Sequence, residues 1–257
     1  MAIGEADLRL DAAAARELAS FVHLAEADST QDAAFARPLP ARGALVVVAD
    51  SQTAGRGRRG RVWSSGAGAD ADAALAMTVL RRFDLPPRAL AALGPAVGVV
   101  MAQALRGLGA EVLVKWPNDL VHRDAKLGGL LIEARADAVA IGLGLNLSLD
   151  ALPGVDQPWS DLRRAGVADI ARTTVLGAVL RALLPALARF EREGFDAFAI
   201  EWAEVDALRG RAVRVIAGDA AFDGEALGIA ADGGLRVRHA DGERVHHAGE
   251  VSVRVAA

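Results

Sequence analysis

The run GRGRRGRVW, residues 55–63, sets three glycines among four arginines just downstream of an apolar stretch. Glycine reaches backbone conformations closed to other residues and lets the chain approach a ligand closely, while arginine offers a planar fork of donors matched to phosphate or carboxylate. The run therefore reads as a flexible, anion-handling loop, and the kind of loop decides the fold. Gly55, Gly57 and Gly60 have the spacing of the dinucleotide-binding fingerprint. That fingerprint also needs a strand ending at the first glycine, a helix opening beyond the third and an acidic residue about 20 positions on. Only the spacing is met: the strand at residues 44–49 stops several residues early, and residues 62–72 are too rich in Gly and Ser for a helix. Gly55 and Gly60 also have the outer spacing of a P-loop, but Arg61 and Val62 stand where lysine and Ser or Thr are required. The alternative to a ligand loop is a solvated basic loop, or one that touches nucleic acid through phosphates.

The chain has 257 residues, 53% of them hydrophobic, enough for one large domain with a real core plus a small one. No apolar run reaches about 18 uninterrupted residues; residues 89–105 are broken by glycine, proline and glutamine. Glu5, Asp7, Asp11 and Glu17 interrupt the first 20 residues, so no signal peptide is read and a cytoplasmic protein is expected, without membrane association. The lack of cysteine excludes disulfides and thiolate metal sites, and the five histidines form no His-Glu-x-x-His pair. A net charge of −4 and a pI near 5.8 argue against a general nucleic-acid binder, which leaves the basic loop a local feature. An RNA adaptor would need aromatic stacking surfaces, and only 4% of the residues are aromatic, with Trp63 alone next to the arginines.

Along the chain, residues 11–21 are alanine-rich and read as a helix. Only 28 residues precede Ser29, too few for a three-helix DNA-binding domain. In Ala27-Asp28-Ser29-Thr30-Gln31-Asp32, the hydroxyls suit a helix N-cap, and they equally set Ser29, Thr30 and the Gln31 amide before a polar ligand. Residues 45–50 read as a buried strand with Gln52 at its exit. After Trp63-Ser64-Ser65 comes a Gly/Ala/Asp insert expected to be mobile, then a strand at 74–80. Residues 86–108 form a long buried helix opened by proline and ended near Gly107 and Gly109. Residues 112–119 give a short strand and a proline turn. Lys126 follows Asp119 by seven residues, a spacing that fits a tight hairpin returning both to one end of a sheet, although Asn118 and Asp119 suit turns in any case. Strands follow at 130–133 and 139–147, the second carrying Gly142 and Gly144 before Asn146. Glycine weakens a strand unless something comes close, so two at alternate positions open one face. Residues 173–193 read as an amphipathic helix kinked or broken at Pro185, and 195–208 as another. From Gly210 the pattern changes to short β runs at 212–216, 222–229, 235–238, 244–247 and 251–255, separated by GD, DGG and DG turns. This is a small barrel, marginal alone and expected to pack against the larger domain.

Taken together, Ser29-Thr30-Gln31, Gln52 with the arginine loop and Trp63, Lys115-Trp116-Pro117-Asn118-Asp119, Lys126-Leu127-Gly128-Gly129 and Gly142-Leu143-Gly144-Leu145-Asn146 resemble the biotin protein ligases, in that family's order and spacing over roughly residues 20–150. Two departures stand out. Gln31 replaces a common asparagine, and Trp159-Ser160-Asp161-Leu162 replaces a small-Thr-Ser-Leu pattern on the nucleotide side. The resemblance implies an α/β (α+β) catalytic domain at 1–208, with a mixed, class II synthetase-like sheet flanked by helices, and an SH3-like barrel at 209–257. It implies a ligase that uses MgATP to make biotinoyl-AMP from biotin and passes biotin to a lysine of a biotin carboxyl carrier protein. Without the DNA-binding domain of the family's repressors no DNA partner is expected; a homodimer is left open. Lipoate–protein ligase is the alternative enzyme.

By the same resemblance the catalytic residues are Lys126, Arg58 and Asp119, with Asp119 as the metal candidate. Biotin falls to Ser29, Thr30, Gln31, Gln52, Gly55, Arg56, Gly57, Arg58, Trp63, Lys126, Gly129, Gly142 and Gly144, and ATP to Arg58, Arg61, Asn118, Lys126 and Asn146. The arginine loop has no apolar side chain to bury and four like charges, so nothing within it offsets the ordering of its backbone. It is expected to be mobile until ligand arrives.

Overall fold

The structure, a computed structural model, describes residues 3–63, 72–152, 155, 157–248 and 252–255; the Gly/Ala/Asp insert falls outside them. Helix α1 (Ala12–Glu17) is capped by Asp11, whose carboxylate accepts from Ala14 N at 2.9 Å. It ends four residues before the sequence suggests, because Leu18 begins strand β1 (Leu18–Ala27). Helix α2 (Thr30–Phe35) follows, capped by Ser29, and then β2 (Ala44–Gln52), which pairs parallel with β1 from Leu18↔Ala44 to Ala27↔Gln52. Residues 18–21 are a correction: they read as the end of an alanine-rich helix, and ladder bonds to a partner some 25 residues away draw them into β1 instead.

Strand β3 (Ala74–Arg82) leads through a 3-10 turn at Ala89–Ala92 into α3 (Leu93–Arg106), which starts about two turns after its proline signal at Pro86. Short β4 (Leu113–Lys115) and β5 (Asp119–His122), then long β6 (Ala125–Arg135) and β7 (Ala138–Asn146), complete a seven-stranded sheet of order β1-β2-β3-β7-β6-β5-β4. Only the β1–β2 pair is parallel, so the sheet is mixed, as expected.

Alternation along the strands divides the core. Val46 and Val48 of β2, with Val139, Ile141, Leu143 and Leu145 of β7, face the main core beneath α3 and α4 (Arg172–Glu193). Leu45, Val47 and Ala140 face the other side, with Ala34 of α2. Helix α4 runs through Pro185 as one helix, so of the expected kink or break the break does not occur. Leu183, Leu184 and Leu187 around it are buried, and that packing holds the helix past the missing N–H donor. By length and composition Ala89–Arg106 and Arg172–Glu193 are apolar enough to cross a membrane, but 61% and 50% of their most apolar stretches are buried inside the protein. They are helices of this core.

After α5 (Ala199–Val205), strands β8 (Ala212–Ala217), β9 (Ala220–Ile229), β10 (Leu235–His239), β11 (Gly242–His246) and β12 (Ser252–Val255) form a second, antiparallel sheet of order β11-β10-β9-β8-β12. All five β runs lie where the turn signals put them. The end strands β11 and β12 share no ladder among the described residues, so the expected barrel is here a sheet without hydrogen-bonded closure. It packs on the first unit: the buried Trp116 donates from Nε1 to Gly233 O at 2.9 Å, and Arg211 pairs with Asp124 at 2.6 Å.

Candidate functional site

The α2 side of the large sheet carries a cavity of about 950 Å³. Its floor follows from strand register. Across β3, β7, β6 and β5, one row aligns Ala76, Gly144, Gly129 and Asp119, and the next aligns Thr78, Gly142 and Leu131. Small residues at these crossings leave space that neighbours fill. A Cβ at Gly142 would lie 2.3 Å from Gln31 Oε1, and one at Gly144 would lie 2.3 Å from the Trp63 ring. The alternate glycines of β7 therefore open one face, as their spacing implied.

One end of the cavity is polar and buried. Ser29, Thr30 and Gln31 are 3%, 4% and 3% exposed. The Ser29 hydroxyl accepts from Gln31 N at 3.2 Å, so capping and site-lining coincide. Gln52 Oε1 accepts from Thr30 N at 2.8 Å and from Thr30 Oγ1 at 3.2 Å, and Thr78 donates to Thr30 Oγ1 at 2.9 Å. Gln31 Nε2 donates to Glu133 Oε2 at 2.9 Å. Fixed donors and acceptors of this kind suit a polar ligand group rather than a hydrocarbon.

The other end is cationic. Lys126 Nζ pairs with Asp119 Oδ1 at 2.8 Å across the β5–β6 hairpin, which confirms the meeting that the seven-residue spacing suggested. Nζ also lies 5.8 Å from the centre of the Trp63 ring. Arg58 donates to Asn118 Oδ1 at 3.3 Å and to the carbonyl of Ala248, and Asn118 Nδ2 donates to Leu130 O at 2.8 Å. Burial lowers the pKa of the Arg58 guanidinium, Arg59 and Arg61 add to this and Asp119 opposes it; arginine nevertheless stays charged at neutral pH. Arg59 and Arg61 line the cavity and have no acidic partner among the described residues.

The arginine loop folds over this cavity as a small hairpin. Gly57 N donates to Arg61 O at 2.7 Å and Trp63 N to Gly55 O at 2.8 Å, with Arg59 in the left-handed region at φ 56°. Contacts from outside the run support it. Arg56 bridges Asp32 at 2.9 Å and Glu133 at 3.0 Å, partners the loop sequence alone does not reveal. Arg56 and Arg58 are half-buried against the site, whereas Arg59 and Arg61 are exposed at its edge.

Of the residues the sequence singled out, all but one line the cavity. Gly55 does not: a Cβ there would meet Trp63 O at 2.6 Å and Gln52 Nε2 at 3.0 Å, so it lies behind the site, where the hairpin closes. Arg56 lines the cavity, but its charge is compensated by two carboxylates. Asn146 donates from Nδ2 to Ser160 O at 2.9 Å, and its buried Oδ1 has no partner among the described residues.

The Trp159-Ser160-Asp161 departure is accounted for. Lys126 N donates to Pro158 O at 2.9 Å and Ser160 N to Lys126 O at 2.8 Å, so the segment runs beside Lys126 and sets Trp159 in the cavity wall. Asp161, fully buried, accepts from Leu149 N at 2.9 Å and Arg164 N at 2.7 Å, and so shapes the loop. Sequence reasoning did not assign Lys115, Glu133, Gln157 or Arg254 to the site. Lys115 lies inside a motif already singled out, but the others carry no local signal. No group of three metal-ligating side chains occurs among the described residues.

The biotin/lipoate A/B protein ligase profile matches residues 26–147, and the biotin protein ligase C-terminal domain profile matches 209–254. The Escherichia coli (strain K12) bifunctional ligase/repressor BirA is 37% identical over 217 residues, 81% of this chain and 66% of that protein, so the chain spans about two thirds of its length. The Paracoccus denitrificans biotin--[acetyl-CoA-carboxylase] ligase is 30% identical over 89% of this chain and 98% of its own. The Aquifex aeolicus biotin protein ligase in complex with biotin and ATP superposes with a TM-score of 0.80 at 27% identity, covering 93% of this chain and all of that one.

Proposed function

The chain belongs to the biotin/lipoate A/B protein ligase family, and from that premise we propose that it activates biotin with ATP and transfers it to a lysine of a biotin carboxyl carrier protein. The observation that carries the reading is the pairing of Lys126 with Asp119 beside Arg58, at the cationic end of a glycine-floored cavity whose other end is lined by Ser29, Thr30, Gln31 and Gln52. Biotin's bicyclic urea, with N–H donors and a carbonyl acceptor, matches the polar end. A dithiolane ring offers neither, so the polar end favours biotin over lipoate.

In the first step a biotin carboxylate oxygen bonds to the α-phosphorus of ATP, the bond to the β-phosphate bridge breaks, and pyrophosphate leaves with the electron pair. No general base is required, since an aliphatic carboxylic acid with a pKa near 4.3 is ionised at neutral pH. The obstacle is repulsion between anions, which fixed cations relieve. Lys126 and Arg58 are assigned to the reacting groups and Arg61 to the phosphates, with Asn146 and Trp159 on the nucleotide side. Asp119 orients Lys126. Magnesium commonly uses one or two carboxylates and completes its shell with phosphate oxygens and water. Asp119 fits such a shared role, through the oxygen not bound to Lys126, and the metal would supply further charge neutralisation.

In the second step the acceptor amine attacks the acyl carbon and AMP leaves. A lysine with a pKa about 10.4 is neutral only about once in 2,500 molecules at pH 7, so the transfer draws on a small neutral fraction. We assign residues 1–208 to activation and 209–257 to a C-terminal domain that completes the site. The test is biotin-dependent pyrophosphate release, followed by mass spectrometry of a carrier domain incubated with enzyme, MgATP and either biotin or lipoate. Modification by lipoate alone would overturn the assignment.

A further inference from the structure

Glu133, on β6, has no part in the chemistry above, yet it touches two of the site's side chains. Its Oε2 accepts from Gln31 Nε2 at 2.9 Å and from Arg56 Nη2 at 3.0 Å, and its Oε1 accepts from Arg56 Nη1 at 3.3 Å. The carbonyl of Leu131 stands on the same side of Gln31, 3.4 Å from Nε2. A carboxylate and a backbone carbonyl can only accept, so the end of the Gln31 amide that faces them is the nitrogen. The amide oxygen is thereby turned the other way, into the space left by Gly142, where a Cβ would lie 2.3 Å from it. Gln31 is 3% exposed, and this oxygen meets no donor among the described residues. Gln31 lines the cavity, so an acceptor held there without a protein donor is open to a ligand N–H.

We propose that Glu133 is a positioning residue that fixes which end of Gln31 faces the cavity, and so makes the site select a heterocycle carrying an N–H donor. The inference rests on the biotin reading, in which that donor is a urea N–H.

The experiment is calorimetric titration of biotin, without ATP, into the wild type, Glu133→Gln, Gln31→Met and the double variant. An amide at 133 both donates and accepts, so Gln31 is no longer held in one orientation. We expect Glu133→Gln to weaken biotin binding about tenfold or more, in line with losing a charge-assisted bond. ATP binding measured without biotin stays within about twofold, which a general structural defect would not allow. Because Glu133 acts through Gln31, adding Glu133→Gln to Gln31→Met costs less than about twofold more, whereas independent effects would multiply. Wild-type biotin affinity in Glu133→Gln, or losses that multiply in the double variant, would overturn the role of Glu133. Failure of the wild type to bind biotin would instead overturn the functional reading beneath it.

Discussion

Lys126 owes its place to three neighbours: Asp119 at 2.8 Å fixes Nζ, the bare Gly129 leaves room beside its stem, and the backbone of the 158–160 segment holds its strand. Removing one preorganised electrostatic group costs about 10² to 10³ in rate. Lys126→Ala should therefore lower biotin-dependent pyrophosphate release by that order with the circular dichroism unchanged; near-wild-type release would contradict its role. Gly144 tests the floor. A Cβ there would sit 2.3 Å from the Trp63 ring, so Gly144→Ala must push the indole out of its seat. Overpacking of this kind costs about 1–3 kcal/mol, and biotin affinity should fall roughly tenfold in a titration, the ring being part of the cavity wall.

At the scale of elements, the arginine loop sets a large ordering cost against modest local gains. Fixing the seven residues 55–61 costs on the order of 7–14 kcal/mol, while partly exposed ion pairs such as Arg56 with Asp32 contribute about 0–1 kcal/mol each. Phosphate and carboxylate from the ligand supply the remainder as charge-assisted bonds. Trypsin should cut at these arginines faster without ligand than with biotin and MgATP, and equal cleavage would show that ligand does not order the loop. A second cluster joins β1, β2 and the start of α4. His23 accepts from Ile3 N at 3.1 Å, so its other nitrogen carries the hydrogen toward Asp50, 2.7 Å away, and the buried Arg172 also donates to Asp50. Burial pushes the Asp50 carboxyl up, but the bonds from His23 and Arg172 outweigh it, and its pKa lies below the ordinary value. A lowered folded pKa gives stability that is complete above the unfolded value near 3.9 and is lost as pH falls through the folded one. Asp50→Asn should thus lose about 3 kcal/mol in urea denaturation at pH 7, by weakening a largely buried pair. The gap to wild type should narrow as pH falls below the unfolded value. A gap that stays constant with pH would assign the loss to packing rather than charge.

Across the whole molecule, the second sheet is part of the site rather than an appendage. Ala248 O receives Arg58, Gly233 O receives Trp116, and Val253 and Arg254 line the cavity. Truncation after Leu208 should therefore depress both pyrophosphate release and carrier modification in a soluble product. Loss confined to the carrier step would limit the second sheet to docking the acceptor.

What the sequence by itself determined is whatever depends on near neighbours. Apolar runs at residues 45–50 and 139–147 marked the central strands, and Gly142 and Gly144 marked the open face. Asp119 and Lys126 announced their own meeting, because a tight hairpin joins them. Dipeptide turns from Gly210 onward laid out the second sheet. The tertiary structure alone decided β1, whose first residues read locally as the end of a helix, and the path of α4 through Pro185, which depends on what packs around it. It alone brought Glu133 to Gln31 across 102 positions and to Arg56 across 77. Such meetings follow from strand order and register, which bring distant residues to one row of a sheet. Propensity and periodicity act over a few residues, so no stretch of chain read by itself contains them.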